Sequence, residues 1–181
     1  MGPHDDRKPA ADEVVVVVNG SQVTRDMYNS YASVFRNPTG VLEATPTELL
    51  TSLINQALVH EEAERRGIHI DPDVVDDNLA QAEALMDVHR QQIDRAGGVD
   101  QLKIRLAAFL EMNAVKNAVL MDSVLMLPEA PLPSNRGDSL RRQEAWKAWL
   151  DRRRACAIVV VYDFSLGVPS STPHPACSTA T

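Results

Sequence analysis

Val14-Val15-Val16-Val17-Val18 runs into Asn19-Gly20 near the start of the chain. β-branched side chains lose χ1 freedom in a helix and suit a pleated surface, so the run predicts a short buried strand that ends in a turn. A lone strand leaves its backbone donors and acceptors unpaired, and it therefore needs a partner. Ala157 to Tyr162 is the one other strong strand candidate, at the far end of the chain. Pairing the two predicts a small two-stranded sheet that joins the N-terminal and C-terminal strands over a helical body.

The residues between them carry helix signals. Thr24 is a good N-cap, with Asp26 in the first turn, and Met27, Tyr28, Tyr31, Val34 and Phe35 recur at helical spacing before Asn37-Pro38-Thr39-Gly40 stops the pattern. Thr45-Pro46-Thr47-Glu48 is a capping box with proline at the first helical position, and Leu49, Leu50, Leu53, Ile54, Ala57 and Leu58 follow on one face. Gly67 supplies a left-handed stop after Arg65 and Arg66. Asp71-Pro72-Asp73 opens a third helix through Val75, Leu79, Ala82, Met86, His89 and Ile93, broken at Gly97-Gly98. A further helix, or two merged ones, runs from about Val99 to Met126. Pro128, Pro131 and Pro133 make residues 127–138 a semi-rigid connector. Ser139 to Arg154 forms a last helix, with Trp146, Trp149 and Leu150 on one face. The fold class is mainly α, with one domain over residues 13–164, a flexible leader at 1–12 and a Pro/Ser/Thr-rich disordered tail at 165–181.

Composition narrows the functions. Among 181 residues, 25 Asp+Glu outweigh 18 Lys+Arg for a net charge of -7, which opposes general binding to nucleic-acid phosphates. Aromatic residues are only 4%, too few for a base-stacking platform, while 44% hydrophobic residues suffice for a core. No apolar run approaches the ~20 residues of a membrane span. Met1-Gly2-Pro3-His4-Asp5-Asp6 is the opposite of a signal peptide, which places the chain in the cytoplasm unless a leader has been trimmed. Cys156, inside an apolar run, reads as a small buried hydrophobe, and Cys177 in the tail as exposed. A bridge between them is open, with nothing in the sequence to prompt it.

The order of these elements resembles the core domain of the SurA/PrsA-type chaperone and peptidyl-prolyl isomerase family. The resembling pieces are Val14 to Gly20 with Val23-Thr24-Arg25 and the first helix; Leu49-Leu50, Ile54 and Leu58 with Glu61 to Ile68; the Gly97-Gly98 break; and Trp146 to Leu150, Arg153 and Ala155 to Tyr162. The likeness covers roughly residues 13–164. Members commonly insert an isomerase domain of ~100 residues before the closing element. Only the proline-rich connector occupies that place here, so the resemblance implies no prolyl-isomerase activity. A family turn near Ala107 to Glu111 is also missing, which fuses two helices. What the resemblance implies is ATP-independent binding of unfolded or extended polypeptide.

Methionine is flexible and polarisable, and suits such a surface. Met27, Tyr28, Tyr31 and Phe35 on the first helix, with Met86, Met112 and Met121 on the long ones, are the candidate peptide-binding residues, although apolar residues at helical spacing are more often core. His60, Glu61 and Glu64 have a spacing that can hold a metal, but no second histidine completes a zinc-protease motif. Phosphate-loop and nucleophile-elbow motifs are missing, so the sequence suggests no catalytic residue, cofactor or metal. The basic residues Arg141, Arg142, Lys147 and Arg152 to Arg154 read as a solvated or salt-bridged face rather than a nucleic-acid site. Two other functions stay open: an enzyme or small-molecule binder that uses a cavity near Tyr28, Tyr31, His60 and His89, and an assembly partner of one protein. The long connector also permits a homodimer that exchanges its closing strand.

Overall fold

The valine run does form a strand, β1 (Val14–Val18), and the last apolar segment forms β3 (Val159–Val161), antiparallel to it in the register Val16 to Val161, Val17 to Val160 and Val18 to Val159. The sheet has three strands rather than two. Asn19 and Gly20 both take positive φ, 49° and 95°, and make a two-residue hairpin into β2 (Ser21–Thr24). Asn-Gly favours this turn because its twist matches that of the flanking strands. The strand order is β2-β1-β3. A bulge between Val14 and Val16 shifts the β1–β2 register, and it lets Val15 and Val16 both face the core although they are adjacent.

The computed structural model describes residues 13–36, 42–85, 98–125, 136–168, 170–171 and 177. The predicted leader, Met86, His89 and most of the connector lie outside them. Five α-helices lie within them: α1 (Arg25–Val34), α2 (Pro46–Arg66), α3 (Pro72–Leu85), α4 (Val99–Leu125) and α5 (Arg136–Cys156). Thr24 caps α1 by accepting from the Met27 amide, and Thr45 and Glu48 form both halves of the capping box on α2. Gly67 ends α2 in the left-handed region at φ 65°. The residues from Val99 form one unbroken helix, α4. The protein is thus mainly α with a small antiparallel sheet.

Helix α2 joins two cores. Its first half sends Leu49, Leu50, Leu53, Ile54 and Leu58 against the inner face of the sheet, together with Tyr28 and Ala32 of α1. Its second half packs Val59 and Ala63 on Val115 and Val119 of α4 and Trp146 of α5. Each fully buried leucine or valine contributes roughly 1.5–3 kcal/mol. Glu62 is the one buried charged residue among those described, 2% exposed. Arg65 and Arg66 donate hydrogen bonds to its carboxylate, and Arg153 Nη2 of α5 lies 3.2 Å from Oε2. Burial alone would raise its pKa, but these three cations outweigh it and hold the carboxyl at about 2.

At residues 165–168, 170–171 and 177, those described, the C-terminal segment differs from the expected disordered tail. Leu166, in a 3-10 turn at Phe164–Leu166, is buried in the first core. Ser171 pairs with Val159, and Cys177 is disulfide-bonded to Cys156. Cys156 is therefore an exposed half-cystine in the last turn of α5, not a buried hydrophobe in a strand. The apolar run is strand only from Val159, because α5 continues through Cys156. A cross-link closing a loop of this length stabilises by about 3 kcal/mol in the chain-entropy account.

Gly167 sits at φ 73°, and a Cβ there would stand 2.6 Å from Thr47 Oγ1, whose hydroxyl donates to the Leu166 carbonyl. Gly167→Ala is expected to lower the unfolding free energy by about 1–2 kcal/mol. Urea titration of the two proteins checks it, and an unchanged midpoint would show that the turn yields freely.

Candidate functional site

Helix α1 presents two faces. Tyr28 and Ala32 turn into the core, while Met27, Tyr31, Val34 and Phe35 line a groove of about 450 Å³ between α1, α2 and α4. Leu53 and Gln56 contribute from α2. From α4 come Gln101, Ile104, Arg105, Ala108, Phe109 and Met112, the i, i+3, i+4, i+7 stripe of one helix face.

The apolar character of this groove is unusual for a surface. Ile104 is 60% exposed, Phe109 54% and Met27 48%. Single exposed apolar residues are ordinary, but a contiguous set lining a concavity marks an interaction site. The Tyr31 and Phe35 rings meet in a tilted pair, with centroids 5.2 Å apart, along one wall.

Polar stitches set the groove's width. Ser30 Oγ donates to Gln101 Oε1 at 2.7 Å, and Arg105 donates to the Ser30 carbonyl and to the hydroxyls of Ser30 and Ser33. They tie α1 to α4 without filling the space between with side chains. Burial lowers the Arg105 pKa, with no effect on its charge near neutral pH.

Four of the seven candidate residues, Met27, Tyr31, Phe35 and Met112, meet in this groove. Tyr28 does not: it is 7% exposed, it packs in the first core with Arg25 5.9 Å from its ring, and burial raises its pKa. Met121 is exposed on α4 beyond the groove. Sequence reading missed Ile104, Phe109 and Val34. The available signal was that α4 is apolar on more than one face, so packing one face leaves another uncovered.

Of the other polar candidates, Tyr31 lines the groove and Tyr28 lies in the first core. His60 is exposed on α2, its Nδ1 3.0 Å from Glu111 Oε1 and its Nε2 3.6 Å from Glu64 Oε1. Among the described residues no group of three or more His, Cys, Asp or Glu side chains could hold a metal ion. On α5, Arg153 pairs with Glu61 and Glu62 and Arg154 with Asp151, while Arg141, Arg142, Lys147 and Arg152 are exposed. No helix among the described residues is long and apolar enough to cross a membrane. Set against known protein families and curated proteins, the chain matches none.

Proposed function

We propose that the groove between α1, α2 and α4 binds extended, apolar-rich polypeptide, a chaperone-like holding activity that uses neither ATP nor prolyl isomerisation. The observation that carries this reading is the cluster of exposed Met27, Ile104 and Phe109 around a concavity floored by Tyr31, Phe35 and Met112. Such a lining gains from burial of almost any apolar side chain, and its methionines adapt to different shapes. The SurA/PrsA-type chaperones that the sequence resembles suggest the same class of ligand. Polar groups in the lining are few, which favours adaptable binding over recognition of one small molecule.

Fluorescence anisotropy with labelled unstructured peptides tests the proposal. Peptides carrying alternate leucine and phenylalanine are expected to bind with Kd in the micromolar range, about -8 kcal/mol. Peptides of serine and glutamine at the same length are expected not to bind. Raising salt should change the affinity little, since the attraction is not ionic. A folded protein that binds neither class rules the reading out.

A further inference from the structure

Independently of the groove, we infer that the outer edge of β3 is a strand-accepting site, and that the chain's own C-terminal segment occupies it under the lock of the Cys156–Cys177 disulfide. On β3 the backbone groups alternate. Ile158 accepts from the Asn19 amide, Val160 registers with Val17, and Tyr162 donates to the Val15 carbonyl, so these three face β1. Val159 and Val161 face the other way, to the edge of the sheet.

Among the described residues the occupant of that edge is slight. The Val159 amide donates to the Ser171 carbonyl at 3.0 Å, and the Ser171 amide returns a bond to the Val159 carbonyl at 2.9 Å. The Val161 amide donates to a side chain, Ser170 Oγ, at 2.9 Å. Among the described residues, two serines stand where a full strand would give a continuous ladder, beside Val160 and Tyr162, which are exposed on the outer face of β3. Two anchors keep so slight a pairing in place: Val168 packs on the first core on one side, and the Cys156–Cys177 bridge to the end of α5 holds the other, which keeps Ser170 and Ser171 at high effective concentration beside the edge.

Reduction removes the second of these anchors. A dithiol reductant passes two electrons and two protons to the bridge: its own thiols close to a disulfide, the Sγ–Sγ bond breaks, and Cys156 and Cys177 end as thiols. Cys156 is exposed, so the bridge is open to attack. The freed edge then offers the Val159 and Val161 backbone groups to an extended polypeptide that adds as a fourth strand, its outward apolar side chains lying beside Ile158, Val160 and Tyr162.

Hydrogen exchange with the full chain, oxidised and dithiol-reduced, tests this, together with anisotropy of a labelled Thr-Val repeat peptide as the strand probe. On reduction the Val159 and Val161 amides are expected to exchange at least about tenfold faster while α2 amides such as Leu53 keep their protection, and the probe is expected to bind the reduced form about tenfold more tightly. Equal Val159 exchange in both states, or equal probe binding, overturns the inference. Should reduction also open α2, the variant Ser170→Ala with Ser171→Pro decides, because it removes the hydroxyl and one bridge amide with the disulfide intact. It is expected to bind the probe when oxidised, and failure to do so overturns the inference equally.

Discussion

Glu62→Gln will lower the unfolding free energy by about 3 kcal/mol, the scale for breaking a buried ion pair from one side. The glutamine fits the space but leaves Arg153 facing a neutral amide, and Arg153 Nε is already buried without a hydrogen-bond partner. Three cations would then crowd one uncharged group at the junction of α2 and α5. The pH dependence separates this from simple loss of packing. The carboxyl is held at about 2 in the fold against an ordinary 4.5. A depressed carboxyl pKa stabilises at pH above the unfolded value, and that contribution disappears as pH falls from 4.5 toward 2. Denaturant titrations at several pH values should show a steep loss in the parent and a flatter profile in the variant across that window. Parallel profiles would mean that the arginines do not hold Glu62 ionised.

Ile104→Asp combined with Phe109→Asp will weaken apolar peptide binding by about 100-fold, near 2.7 kcal/mol. Each side chain lies on the groove and is more than half exposed, so each offers an apolar anchor whose loss is worth roughly 1.5 kcal/mol. The same exposure makes the change cheap for the fold, within about 0.5 kcal/mol per site. Met121→Asp is the matched control, because Met121 is 60% exposed on the same helix but outside the groove. It should leave peptide affinity unchanged. Equal losses in both variants would point to a general effect of negative charge on an already acidic surface.

How much of this was legible in the sequence depends on the range of the interaction involved. Local signals read well: the Thr45–Glu48 capping box, the Gly67 stop and the valine strand all stand as local chemistry dictates. The pairing of β1 with β3 was legible too, since two strands without partners have few alternatives. β2 was missed because Ser21-Gln22-Val23 carries one buried apolar side chain, and the information lay in the Asn19-Gly20 hairpin turn instead. The tail was misread because serine and proline content describes local preference, whereas Ser171 and Cys177 are held by partners far back in the chain. The groove falls between these cases. Periodicity put Met27, Tyr31, Phe35 and Met112 on helix faces but could not say which face each helix would bury. Tyr28 shows the consequence: one position from Met27, it turns into the core.

Nuclear magnetic resonance of the isotopically labelled protein, titrated with an unlabelled leucine- and phenylalanine-rich peptide, tests the peptide-binding groove most directly. The account predicts chemical-shift changes concentrated on the amides of residues 26–35, in α1 and its C-cap, and 101–112 of α4, with the sheet and α5 unmoved. Shifts confined to the sheet or to α5, or none at saturating peptide, would contradict it.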